Sequence, residues 1–226
     1  METGEDRVLL QAENKDTVYS TPILYEDKVL FNQAWRSDWP PGMTPTPIPG
    51  RPGPEPPPHY QITGDIFSLD LKTGEKLNLS NTGSASSPAI WGNYLMWIDQ
   101  PVLTTQQHGS GEVCILNMRT GERKVLTNDA TYMHMYSSPQ AGDGFFIWAD
   151  SHRLPTAVRA HFPGSDEMVY LQGPEGKPRV ATARAEGKVL FWQWADWSGV
   201  SSPTITEEES ERVKSQPWKV FMTVFE

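Results

Sequence analysis

The chain has 226 residues, 37% of them apolar, and a formal net charge of −9. That length can bury a sizeable core, no apolar run approaches the roughly 18 residues of a membrane-spanning helix, and no cluster of Lys and Arg offers a footprint for nucleic acid. The single cysteine, Cys114, excludes an internal disulfide; between Val113 and Ile115 it reads as a small strand residue, not a nucleophile. Nine Trp and 20 Pro suit short, aromatic-rich strands joined by turns.

The N-terminus, Met1 to Asp6, is polar and acidic and has no signal-peptide character. It leaves open a cytoplasmic protein or a part trimmed from a longer, extracytoplasmic one. The first expected strand follows the Thr-Gly-Glu of residues 3–5 and covers Arg7 to Leu10.

Then a pattern begins that recurs. Ser20-Thr21-Pro22-Ile23 precedes Lys28-Val29-Leu30-Phe31; Ser86-Ser87-Pro88-Ala89 precedes Tyr94-Leu95-Met96-Trp97; Ser137-Ser138-Pro139-Gln140 precedes Phe145-Phe146-Ile147-Trp148. A weaker fourth copy without proline is Ala181-Thr182-Ala183-Arg184 before Val189-Leu190-Phe191-Trp192. A second pattern follows in the first two units. Gly64 to Asp70 leads into Lys72-Thr73-Gly74-Glu75, and Gly111 to Asn117 leads into Arg119-Thr120-Gly121-Glu122; each Thr-Gly pair reads as a hairpin turn in which Gly supplies a positive φ. In the third unit the corresponding strands are expected at Met168 to Leu171 and Arg179 to Ala181, around Pro174-Glu175-Gly176. In the fourth, the third strand is Trp218 to Phe225.

Each unit therefore supplies four short strands, a to d, at a spacing of roughly 40–50 residues, the signature of a β-propeller. The expected architecture is all-β, a single domain over residues 1–226. Blade one covers 17–80 with a proline-rich insertion at 39–58, blade two 84–127, blade three 134–181, and blade four 182–226 plus 3–11. The chain starts on strand d and ends on strand c of that last blade, so its ends are expected to close the ring at four blades; a fragment of a six-bladed ring is the competing expectation. No long segment has helical periodicity, the best candidate being Thr206 to Lys214 within a loop.

The repeat units, such as Ser86-Ser87-Pro88-Ala89-Ile90 with Tyr94 to Asp99, and Asp65 to Glu75, resemble the TolB-like, or WD40-like, propeller repeats of bacteria. The resemblance covers nearly the whole chain. It implies a protein-interaction platform more often than a polysaccharide-active enzyme, and four blades would depart from the family's usual six or seven.

The a–b and c–d turns are short, whereas the expected b–c loops are long: Arg36 to Ile62, Gln100 to Ser110, Ser151 to Glu167 and Trp197 to Pro217. Long loops gathered on one face point to a binding surface. Strand b ends in a recurring aromatic-x-Asp: Trp97-Ile98-Asp99, Trp148-Ala149-Asp150 and Trp194-Ala195-Asp196. These carboxylates either ring a polar ligand or brace their own loops. Candidate ligand contacts are Trp39, Asp99, Tyr136, Asp150, His152, Asp196 and Trp197. Candidate catalytic groups, should the protein act on polysaccharides as a uronate lyase or hydrolase, are His134, Asp150, His152 and Arg153. None of the five histidines has metal-ligand spacing, and no Gly-x-Ser-x-Gly, phosphate-binding loop or zinc-type Cys pair occurs. The reading leans to a non-enzymatic binding or scaffold module for a protein or glycan partner, without cofactor or metal, standing alone or as part of a larger chain.

Overall fold

The computed structural model describes residues 8–12, 14–38, 60–99, 111–127, 139–150, 157–171, 180–194 and 219–225. All regular structure among them is β, in two compact units, Met1–Gly83 and Ser84–Glu226.

The first unit carries one antiparallel sheet in the order β1 (Thr17–Tyr25), β2 (Lys28–Asp38), β3 (Tyr60–Asp70), β4 (Lys76–Asn78). Strands β2 and β3 form a long ladder that runs from Lys28 opposite Asp70 to Asp38 opposite Tyr60. Tyr19 meets Phe31 edge-on at 5.5 Å, and Phe31 lies 6.0 Å from Phe67 in a stacked arrangement, with the Lys76 ammonium 4.4 Å over the Phe67 ring.

The second unit holds three sheets. One is β5 (Ala85–Trp91), β6 (Tyr94–Asp99), β7 (Glu112–Asn117) and β8 (Arg123–Val125). The next is β9 (Gln140–Ala141), β10 (Phe146–Asp150), β11 (Ala157–His161) and β12 (Met168–Leu171). The last is β13 (Val180–Glu186), β14 (Val189–Trp194) and β15 (Lys219–Val224). The core consists of layers between adjacent sheets, because successive side chains of a strand point to opposite faces. Phe146 and Trp148 of β10 join Met96, Ile98, Val113 and Ile115 on one side. Phe145 and Ile147 join Val158, Ala160, Leu190 and Trp192 on the other. The tight a–b turns interlock as well: the Trp91 indole donates to Asp143 Oδ1 at 3.1 Å, and the Asp143 amide donates to the Gly187 carbonyl at 2.6 Å.

The recurring motifs take matching geometry. Residues Thr21 and Ser87, each just before proline, adopt φ of 54° and 56°, and strand a shifts register between Ser20 and Ile23 and between Ser86 and Ala89. The Ser-x-Pro signature is thus a β-bulge that kinks the first strand of the sheet. In the c–d turns Asp70 Oδ1 accepts the amides of Lys72 and Thr73, Asn117 Oδ1 accepts those of Arg119 and Thr120, and Gly74 and Gly121 have φ of 74° and 76°. A third repeat ties the two turns of one blade together: Leu71 N donates to Asp27 O (2.8 Å), Met118 N to Asn93 O (2.8 Å) and Phe225 N to Lys188 O (3.0 Å). Phe225 therefore stands where Leu71 and Met118 stand, so β15 is a c strand, as its sequence suggested.

Two expectations change. In the third blade, strand c is β11 (Ala157–His161) and strand d is β12 (Met168–Leu171). The segment expected to be one long loop, Ser151 to Glu167, contains this strand, and its b–c connection shrinks to residues 151–156. Met168–Leu171 is the outer strand, not the third, and Val180 opens the next sheet. Pro163-Gly164 supplies the c–d turn, with Gly164 at φ 88°. The fourth sheet has three strands among the described residues, and Val8 to Ala12 carry no strand. The helical candidate Thr206 to Lys214 lies outside the described residues.

Candidate functional site

Of the residues proposed to contact a ligand, Asp99 is described in full. It ends β6, is 6% exposed, and accepts hydrogen bonds from the Ser84 hydroxyl and from Arg123 Nη2, the latter at 2.9 Å. Arg123 also lies 4.9 Å over the Trp97 ring and 3.7 Å from Cys114 Sγ. This carboxylate is spent on internal partners, which favours the bracing role for the aromatic-x-Asp motif in this blade. Trp97 and Trp148 of the same motif are fully buried. Burial raises the Cys114 thiol above its ordinary value despite the neighbouring Arg123 guanidinium, in keeping with a packed strand residue and not a nucleophile. Asp150 ends β10 opposite Ala157. Trp39, His134, Tyr136, His152, Arg153, Asp196 and Trp197 lie outside the described residues.

Sequence reasoning missed a second buried carboxylate, Asp65 in β3. It accepts from Ser80 Oγ (2.7 Å), the amides of Thr82 (2.8 Å) and Gly83 (2.9 Å), and Asn78 Nδ2 (3.0 Å). Burial pushes its pKa up, but these four donors outweigh that and hold the carboxyl below its ordinary value. The Ser80 hydroxyl also accepts the Ile66 amide at 2.9 Å, and Thr127 does the same for Val113 at 2.9 Å, so the link from strand c to the end of strand d recurs.

A cavity of about 250 Å³ opens at the end of the second unit where the c–d turns lie, away from the b–c connections. The β7–β8 turn contributes Asn117, Glu122 and Lys124, the β11–β12 turn Pro163 to Asp166, and Tyr94, Ile115 and His161 complete the lining. Lys124 Nζ bridges Glu122 (3.4 Å) and Asp166 (3.5 Å), and these carboxylates raise its pKa. His161 is 5% exposed, and its Nδ1 has no hydrogen-bond partner among the described residues. Burial lowers its pKa, against the Glu167 backbone, which favours the protonated ring. Among the described residues no group of three or more His, Cys, Asp or Glu is placed to hold a metal ion. In the sequence His161 sat inside an apparent loop, so its burial had no visible signal there.

No family model and no curated protein matches the chain. Solved structures do. The β-propeller domain of the trilobed protease from Pyrococcus furiosus superposes with a TM-score of 0.56 at 11% identity, over 92% of this chain and 55% of that one. An acylaminoacyl peptidase from Pyrococcus horikoshii gives 0.53 at 9% identity, over 92% of this chain and 31% of that one. An acylaminoacyl peptidase in complex with Z-Gly-Gly-Phe-chloromethyl ketone gives 0.54 at 10%, over 93% and 31%. The chain spans about half the length of the first and about a third of the peptidases. At such identities the likeness shows the fold alone, and that fold is the β-propeller.

Proposed function

We propose that the protein is a non-enzymatic binding or scaffold module built on a TolB-like propeller, and that it holds a protein or glycan partner where strands b and c are connected. The observation that carries this reading is the unequal length of the connections. Strands a and b are joined by tight turns such as those between Tyr25 and Lys28 or Trp91 and Tyr94. By contrast, β2 and β3 are separated by residues 39–59, β6 and β7 by 100–111, and β14 and β15 by 195–218. Rigid sheets that present long connections at one end are a common way to build a recognition surface. The proline-rich stretch at 39–58 adds a segment with few backbone donors and a preference for polyproline II, which suits docking to aromatic-lined partners.

The test compares the full chain with the triple variant Trp39→Ala, His152→Ala, Trp197→Ala on a glycan array and in protein pull-downs. The intact chain is expected to retain a defined partner, and the variant to lose at least about tenfold in affinity. Equal retention by both, or none by the intact chain, would overturn the reading.

A further inference from the structure

The last sheet of the second unit has a face that the core does not use. Trp192 and Phe221 turn toward the layer they share with Ile147 and Ala160. Strand alternation therefore sends Phe191, Val220, Met222 and Val224 the other way. These four are 41%, 67%, 63% and 55% exposed. The register sets this face out in three rows across β13, β14 and β15: Thr182, Gln193 and Val220, then Arg184, Phe191 and Met222, then Glu186, Val189 and Val224.

In the sister sheets the same face is covered. Phe191 is the third residue of its strand-b motif, as Met96 and Ile147 are of theirs. It pairs with Met222 as Met96 pairs with Ile115 and Ile147 with Ala160. All four of those sister residues are buried. Phe146 and Trp148 of the next sheet pack on Met96 and Ile115, and Leu190 and Trp192 of the next pack on Ile147 and Ala160. The face of β14 and β15 is thus built for contact with another sheet. The other exposed large apolar side chains of the described residues are spread over five segments, at most two to each. The apolar sheet face that a second molecule offers is therefore this one again.

The charges suit that pairing. Strands β14 and β15 supply the apolar groups, while β13 carries exposed Arg184 and Glu186 in neighbouring rows. A two-fold axis at right angles to the strands, passing between those rows, lays β15 over the β15 of a second copy and β13 over its β13. It sets Met222 against the second copy's Val224, Phe191 against its Val189 and Arg184 against its Glu186, each contact made twice. At their exposure the four apolar side chains offer on the order of 400 Å², within the roughly 300–600 Å² of the largest patch on a typical monomer. Two such patches with their polar rims bury about 1,000 Å² in all, the lower bound for a specific interface.

We propose that this face is a self-complementary interface through which two copies of the chain form a two-fold dimer, with Arg184 and Glu186 paired across the axis. The proposal goes beyond the b–c recognition surface and does not rest on it.

The experiment is sedimentation equilibrium of the full chain over a concentration series, with melting followed in parallel. The parent is expected to dimerise with a dissociation constant of micromolar order. Met222→Thr with Val224→Thr keeps β-branched residues in the strand and is expected to weaken the dimer at least about tenfold. Arg184→Glu and Glu186→Arg each set like charges against one another across the axis, and each is expected to be monomeric where the parent is dimeric. An equimolar mixture of these two single variants regains both opposite-charge pairs and is expected to dimerise within about threefold of the parent. That rescue on mixing cannot come from a change within one copy, so it separates an interface from a fold defect. A parent that is monomeric throughout the series overturns the proposal. So does a dimer that the Met222 and Val224 changes leave intact, or a mixture that associates no better than its two components.

Discussion

Asp65 shows how one side chain can organise a whole inter-strand junction. Its carboxylate collects two backbone amides, a hydroxyl and a side-chain amide at 2.7–3.0 Å, while the same hydroxyl receives the Ile66 amide. Replacing it by Ala takes the acceptor away from the buried Ser80 hydroxyl and from three part-buried donors, and each buried group left unsatisfied costs about 1–3 kcal/mol. Asp65→Ala is therefore expected to lose at least about 2 kcal/mol in urea unfolding. The pH dependence has a definite sign. The folded carboxyl holds its charge to lower pH than the unfolded one, whose ordinary value is 3.8. Its stabilisation is complete above that value and drains away as pH falls through the lower, folded value. Asp65→Asn removes the titration, so its stability is expected to fall less steeply than the parent's over that acid range. Identical slopes in parallel urea titrations would show that Asp65 does not contribute.

At the scale of the element, the repeat was readable wherever local chemistry dictates the backbone. Asp70 or Asn117 followed by Thr-Gly-Glu announces a turn, because a side-chain acceptor caps two amides and glycine takes the positive φ. The third blade hid its strand c for a physical reason. In β11, Arg159 and His161 fall on one face and are buried, so the pattern of polar outside and apolar inside is broken where it would have shown a strand. With the strand went the cavity that its turn helps to form. The bulge behind Ser-x-Pro was invisible as geometry although its residues were noticed, since a positive φ before proline is not a usual preference. The aspartates that end the b strands were chosen by symmetry between blades, and symmetry cannot say how a side chain is used: Asp99 is engaged by Ser84 and Arg123. The β9–β10 turn offers a sharper element-level test. A Cβ on Gly142 would lie 2.2 Å from the Phe145 ring, which is fully buried and packed 4.4 Å from Phe225. The ring has little room to yield, so Gly142→Ala is expected to cost about 1–3 kcal/mol in thermal or urea unfolding. A neutral effect would mean that this turn relaxes freely.

For the whole molecule, the last blade poses the question of closure. Strand β15 supplies Phe221, stacked on Trp192 at 4.3 Å, and the chain just beyond it supplies Phe225, 5.3 Å from Phe162. Deleting Trp218 to Glu226 removes both rings. Both rings are partly buried against the core, so each costs up to about 3–5 kcal/mol, and with the loss of the β15 ladder this is a large share of the roughly 5–15 kcal/mol that hold a typical domain together. Unfolding of this truncation is expected from packing alone and is silent about the N-terminus. The discriminating change is deletion of residues 1–11. The sequence match of residues 3–10 to the Thr-Gly-Glu turns and d strands of blades one and two predicts that they add to the free edge of β15, whereas Val8 to Ala12 carry no strand in the structure. An unpaired edge leaves every second amide of a strand to solvent, whereas a neighbouring strand shields it. In the full chain, the β15 amides not bonded to β14 are accordingly expected to exchange slowly with deuterium, and the deletion is expected to make them exchange fast and to lower the melting temperature. If those amides exchange equally fast in both proteins and the melting temperature does not move, the N-terminal segment does not complete this blade.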